Sequence, residues 1–181
     1  MKVKQIVEEC IVKMGLDNFI NNQTYTADEQ KIIDRLVFNV NVVYREIVTS
    51  YLPLIDSREV QIEGGEYVFA DLTGVRMLYP VRLEAGDKEI KFKTYATKLK
   101  CDYEGRAKLY FAYLPSEDFV ISDEIDDTRI TSQVMCAGVL AEYYFQNKVF
   151  DLAKSFDLDY RAGLSVLKYK GRSMFLNVRR W

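Results

Sequence analysis

The chain has 181 residues, 49% of them hydrophobic and 29% charged, and a formal net charge of −2. That composition excludes global disorder and fits one domain, or one domain with an insertion, long enough to bury a core. Histidine is absent, which removes Ser-His-Asp and Cys-His nucleophiles and histidine-ligated metals.

The near-neutral charge gives no overall basicity for wrapping nucleic acid. No apolar run approaches the length of a membrane span, and the opening MKVKQIVEEC carries charges where a leader would be apolar. A chain without signal peptide or membrane, made in the cytoplasm, is expected. Cys10, Cys101 and Cys136 are far apart with no CxxC, so they read as small buried hydrophobes.

Val3, Ile6, Val7, Cys10, Ile11 and Met14 follow helical spacing in one continuous stripe. Gly15 stands where a left-handed C-cap is expected. A polar connection, Asp17–Thr24, leads to a capping box at Thr26-Ala27-Asp28-Glu29: hydroxyl at the cap, carboxylate three residues on. The helix it opens carries Ile32, Ile33, Leu36, Val37, Val40, Val43, Tyr44, Ile47 and Val48 inward. It must stop before Pro53, because the residue before proline is pushed out of the helical region.

Beyond Pro53 the apolar period drops to two. Arg58–Ile62 alternates, Glu63-Gly64-Gly65-Glu66 turns, and Tyr67–Leu72 resumes as strand. Val75–Leu83 is a further strand whose Pro80 predicts an edge position or a bulge. Ile90, Phe92 and Thr94 oppose Lys91 and Lys93; Leu99, Cys101 and Tyr103 oppose Lys98 and Lys100; Ala107–Tyr113 alternates again before Pro115. Five or six antiparallel strands, as a meander sheet or a sandwich, are predicted, not a βαβ unit.

An acidic loop, Ser116–Asp127, precedes a third helix expected from about Thr128, with Asp126 and Asp127 as caps. Ile130, Val134, Ala137, Ala141 and Tyr144 line one face, and Cys136, Gly138 and Val139 extend it. So little polar surface predicts burial on several sides or packing on another copy. After Gln146-Asn147-Lys148 a fourth helix turns Val149, Ala153, Phe156, Tyr160, Leu164 and Leu167 inward. The fold class is thus α+β: a four-helix core of two N-terminal and two C-terminal helices, an inserted antiparallel β-module, and a C-terminal arm. The boundaries fall at residues 1–53, 54–115, 116–170 and 171–181.

Glycine-rich phosphate loops are absent, and no cofactor or catalytic residue is expected. The acids between Glu117 and Asp127 lack the spacing and glycine of a calcium loop; they read as caps, a solvated loop, or a rim contact in an oligomer. Lys91, Lys93, Lys98, Lys100 and Lys108 alternate outward near Tyr95, Tyr103 and Tyr110. Such lysines either form a solvated face, hold a single strand, or present weak charge to passing duplex DNA. Thirteen tyrosines and ten phenylalanines suit either a tyrosine-rich core or an interface. Met174, Phe175, Leu176, Val178 and Trp181, with Arg179 and Arg180 between the last two apolar residues, dock on the chain's own helices or on a partner.

The helix VKQIVEECIVKMG, the long helix TADEQKIIDRLVFNVNVVYREIV, the β-module after it, the pair AGVLAEYYFQNKVFDLAKSFDLDYRAGL and the closing RRW together resemble the head–tail adaptor (connector) proteins of tailed bacteriophages, of the tail-tubular adaptor type. The resemblance implies a non-enzymatic virion protein, a homo-oligomeric ring of commonly twelve copies under the portal protein. Such a ring continues the DNA channel, lets duplex DNA pass without specific contacts, and receives a tail or tail-tube protein. It points to Met174–Trp181 as the portal-facing arm and to the β-module as a tail-facing or inter-subunit surface. A different class remains open from the residues alone, a non-enzymatic nucleic-acid-binding module using the lysine-rich sheet face.

Overall fold

The stripe in the first segment folds as α1 (Val3–Lys13), with Val3, Ile6, Val7, Cys10 and Ile11 buried. Its end is a complete Schellman motif: Leu16 N donates to Ile11 O (3.1 Å) and Gly15 N to Val12 O (2.9 Å). Gly15 takes the φ of +72° that this closure requires. The computed structural model describes residues 1–16 and 25–170, with side chains to Val166. The connection expected at Asp17–Thr24 and the arm from Gly171 lie outside the described residues, as does the side chain of Leu167, expected to face inward.

The second helix, α2 (Ala27–Ser50), opens on both bonds of the capping box. Thr26 N donates to Glu29 Oε2 at 2.7 Å and Glu29 N to Thr26 Oγ1 at 3.3 Å. Ile33, Leu36, Val40, Val43, Tyr44, Ile47 and Val48 are buried, and so are Asn39 and Asn41. These two asparagines sit in the register of the apolar stripe, three residues past Leu36 and four past Val37.

The remaining helices are α3 (Ser132–Gln146) and α4 (Phe150–Lys170). α3 starts later than its acids suggest: Thr131 is the N-cap, accepting from Val134 N at 3.4 Å. Asp127 does not cap because Arg129 claims it, Nε to Oδ1 at 2.8 Å and Nη2 to Oδ2 at 2.6 Å. That guanidinium holds the Asp127 carboxyl below its ordinary range. Every residue from Val134 to Ala141 is buried, so α3 is the central helix, packed on α1 and α4. The α3–α4 turn repeats the Schellman closure, Val149 N to Tyr144 O at 2.9 Å and Lys148 N to Phe145 O at 3.0 Å. Here Lys148, not glycine, holds the left-handed position, with φ of +62°. On α4, Ala153, Tyr160 and Leu164 are buried. Phe156 is only half-buried, stacked on Tyr144 with centroids 5.7 Å apart, and Val149 is exposed.

Between α2 and α3 lie seven strands among the described residues: β1 (Leu54–Ile62), β2 (Glu66–Val68), β3 (Arg76–Ala85), β4 (Lys88–Glu89), β5 (Phe92–Thr94), β6 (Lys98–Cys101) and β7 (Gly105–Leu114). The strand expected at Tyr67–Leu72 is shorter, because Phe69–Asp71 turns as a 3-10 helix. One sheet has the order β1-β7-β3-β4 and the other β2-β6-β5. The last strand in sequence is therefore central, and a simple meander is excluded. β1 and β7 pair without interruption from Leu54↔Tyr113 to Ile62↔Gly105. The β3–β7 register slips between Met77 and Tyr79 and between Pro80 and Arg82. β4 pairs only with Glu84 and Ala85, so Pro80 occupies a bulged stretch with an open outer side, where its missing N–H costs nothing. Both sheets feed one core: Val60, Ile62, Leu83, Leu109 and Phe111 from the first, Tyr67 and Leu99 from the second.

The fold is thus α+β, a four-helix core with an inserted antiparallel β-module. The described residues form two compact units, one of those within Met1–Ile47 together with those from Asp118 to Lys170, the other of Val48–Glu117. The strand-bearing unit begins inside the last turns of α2 and not at Leu54.

Candidate functional site

Alternation along β5 and β6 sends Lys93, Lys98 and Lys100 to one side of the three-stranded sheet. Pairing then sets them in rows: Glu66 of β2 stands opposite Lys100 of β6, which stands opposite Lys93 of β5. Glu66 takes both β6 lysines, Lys98 Nζ at 2.6 Å and Lys100 by direct contact. Lys100 first, then Lys98, hold the Glu66 carboxyl below its ordinary range, and Glu66 in turn raises Lys100. Lys91 and Lys93 form no ion pair among the described residues.

Lys91, Lys93 and Lys100 line one open concavity of about 490 Å³ together with Phe92, Tyr95, Glu66 and Asp102. Tyr95 is 48% exposed. Only glycine fits at Gly65 in the same wall: its φ is +73°, and a Cβ there would stand 2.6 Å from Cys101 O. Lys108 is elsewhere. It lies on β7, with Glu59 and Glu84 as its cross-strand neighbours, and its Nζ sits 5.3 Å from the Tyr110 ring. Of the five lysines, Lys93, Lys98 and Lys100 belong to the three-stranded sheet and Lys108 to the other, while Lys91 lies in the connection between β4 and β5. Alternation marks which side of its own strand a lysine takes, but not which sheet the strand joins.

A second feature is the turn after the β-module. The buried Asn41 side chain clamps the backbone of Phe119 from both directions, Phe119 N to Asn41 Oδ1 at 2.7 Å and Asn41 Nδ2 to Phe119 O at 2.9 Å. The Phe119 ring meets Tyr44 edge-on at 5.1 Å. Past it, Asp123 N donates to Val120 O at 3.0 Å and Val120 N to Asp123 Oδ2 at 2.8 Å. Asp123 O is held by Val3 N at 3.0 Å. This tied-down turn presents Val120, 56% exposed, and Ile121 to solvent, with Asp118, Glu124 and Asp126 close by in sequence; Arg45 holds Asp118 at 2.8 Å and the Met1 ammonium holds Glu124 at 3.1 Å. Asn41 was not singled out by sequence reasoning. Its signal was available: a polar residue in the helical stripe of Val37, Tyr44 and Val48, four past the first and three and seven before the others.

The helical unit also carries large apolar side chains on its surface: Phe38, Phe145, Phe150 and Leu158 are each at least 60% exposed. Phe145 and Phe150 meet edge-to-face at 5.9 Å across the α3–α4 turn. Nearby, Gln146 Nε2 donates to Asn39 Oδ1 at 2.9 Å, while the buried Asn39 Nδ2 has no partner.

Two clusters of titratable residues lie on the helices, one buried and one at the surface. Cys10 and Cys136 face each other with Sγ atoms 3.3 Å apart, both as free thiols. The hydrogen bond to Cys136 and burial hold the Cys10 thiol well above its ordinary value, which leaves it unreactive. Glu142 is half-buried and raised by burial, then by Glu46 and Asp157. Its neighbours are engaged, Glu46 by Tyr160 Oη at 3.1 Å and Asp157 by Arg161 Nε at 2.8 Å. Among the described residues no group of three or more acidic or cysteine side chains is arranged to hold a metal. Nor is any described helix long and apolar enough to cross a membrane. The arm residues Met174, Phe175, Leu176, Val178, Arg179, Arg180 and Trp181 lie outside the described residues. Neither a protein-family model nor a curated protein matches this sequence.

Proposed function

We propose that this chain is a non-enzymatic virion protein that assembles as a homo-oligomeric ring between capsid portal and tail, continuing the DNA channel at the phage neck. The reading rests on the resemblance to head–tail adaptors, and the four-helix core with its β-module inserted after the second helix fits that architecture. The observation that carries it is the exposed apolar surface of the helical unit, above all Phe38, Phe145, Phe150 and Leu158. Large apolar side chains gain nothing in water, and the Phe145–Phe150 pair, in edge contact across the α3–α4 turn, is the kind of patch that assembly covers. In this reading Met174–Trp181 faces the portal, and the strand-bearing unit faces the tail protein or a neighbouring copy. Twelve copies is the number the resemblance implies.

Mass photometry of the full chain, alone and with a phage portal protein, tests the reading. A ring, or a portal complex lost on deleting residues 174–181, is expected. A chain that stays monomeric in both settings overturns the ring, and a complex indifferent to the deletion overturns the portal-facing arm. A second reading, a single-strand-binding module, is favoured by the meeting of Lys91, Lys93 and Lys100 with Phe92 and Tyr95 in one concavity. It requires oligonucleotide binding that weakens steeply with salt.

A further inference from the structure

We infer that the apolar turn Val120-Ile121 of one copy docks into the lysine-rimmed concavity of the next, and that this is the contact by which copies join head to tail. The inference deepens the ring reading and rests on it.

Three observations support it. First, the turn is built to stay exposed. Two hydrogen bonds from Asn41 and two between Val120 and Asp123 fix its backbone, yet the side chains held in place are apolar and solvent-facing. A rigid apolar knob loses little entropy on docking. Second, the two surfaces complement each other in pattern and sign. The knob is apolar with acids beside it in sequence: Asp118 and Glu124 are held by Arg45 and by the Met1 ammonium, whereas Asp126 is exposed and forms no ion pair among the described residues. The concavity offers the exposed Tyr95 ring beside Lys91 and Lys93. An apolar centre inside a polar, oppositely charged rim is the usual anatomy of a protein interface. Third, knob and concavity are different patches of one chain, so the contact can run head to tail from copy to copy, which is the arrangement that generates rings.

A polyanion fits the concavity less well. Glu66 and Asp102 stand among its lysines, so the rim has both signs, which suits carboxylates and backbone groups of a protein better than a track of phosphates.

Two charge-reversed full-length chains test the contact. The first carries Lys91→Glu and Lys93→Glu, the second Glu124→Lys and Asp126→Lys; circular dichroism melts verify that each folds. Each variant alone should need about tenfold higher concentration than the unaltered chain to assemble. An equimolar mixture of the two should recover assembly, because every reversed knob then meets a reversed rim. In a mixture of ¹⁴N- and ¹⁵N-labelled unaltered chains, carbodiimide should join Lys91 or Lys93 to the peptide holding Glu124 and Asp126, in mixed-isotope pairs. If the unaltered chain assembles and both variants assemble equally well, the contact is overturned and the ring stands. If cross-links join only same-isotope peptides, the contact between copies is overturned. If the unaltered chain is monomeric alone and with the portal, contact and ring fall together. If the first variant loses a fluorescent single-stranded oligonucleotide while assembly is unchanged, the lysine rim serves nucleic acid instead.

Discussion

The two units of this chain reach a dry interior by opposite routes. In the helical unit the central helix α3 is buried along eight successive residues, Val134 to Ala141, and room for its neighbours comes from small side chains. A Cβ on Gly138 would lie 2.8 Å from Val43 Cγ1 on α2 and 3.0 Å from the Tyr160 ring on α4. In the strand-bearing unit the interior is filled by large alternate residues, Phe111, Leu109, Leu99, Leu83 and Ile62, spaced by sheets that cannot approach more closely than about 10 Å. Helices tighten around what is missing; sheets need to be filled. The first unit should therefore be damaged by added volume and the second by removed volume.

The largest expected effect tests the second half of that contrast. Phe111→Ala, at a fully buried site, should cost the strand-bearing unit about 3–5 kcal/mol, measured by urea unfolding followed by hydrogen exchange in each unit separately. A loss under about 1 kcal/mol would mean that the core collapses into the space. Next comes Gly138→Ala. The methyl group gains about 1 kcal/mol of helix propensity, but overpacking against Val43 and Tyr160 costs roughly 1–3 kcal/mol. A net loss in thermal and urea stability is expected. A net gain would show that α3 has slack, and the contrast would fail.

A smaller effect of opposite sign is expected at the α3–α4 turn. Lys148 pays a steric penalty at φ +62° that glycine escapes, so Lys148→Gly should stabilise the helical unit by about 0.5–1 kcal/mol. The smallest depends on pH. Burial, then Glu46 and Asp157, raise the Glu142 carboxyl, so its charged form is disfavoured in the folded chain. For a carboxyl raised on folding, the destabilisation is absent below the ordinary carboxyl range near pH 4. It grows as pH rises and is complete above the raised value. Glu142→Gln should thus raise the melting temperature at pH 7 and leave it unchanged at about pH 3.5. Equal shifts at both pH values would refute the electrostatic cause.

Elements with a local cause were readable in advance. The stripe from Val3 to Ile11, the closure at Gly15 and the reciprocal bonds of Thr26 and Glu29 involve residues at most five apart, so the chain carries their whole explanation. The start of α3 was misplaced because Asp127 offers a capping carboxylate, and only the folded turn shows that Arg129 has taken it. Phe156 has the spacing of a core residue but is half-buried, so truncating it should cost less than the loss at Phe111. For the candidate site, the lysines were recognisable by alternation. The division of the strand lysines between two sheets, and the clamp from Asn41 onto Phe119, were not.

Secondary-structure type, the insertion of strands between helical pairs and the polarity of each face came from residue order, because backbone preference and side-chain period act over a few residues. Strand order, the meeting of Lys91, Lys93 and Lys100, and the fixed exposure of Val120 and Ile121 were decided by tertiary structure. Each joins groups that are distant in sequence, such as Glu66 with Lys100 or Asn41 with Phe119. Whether such partners meet depends on which sheets and helices find each other, and no local pattern encodes that choice.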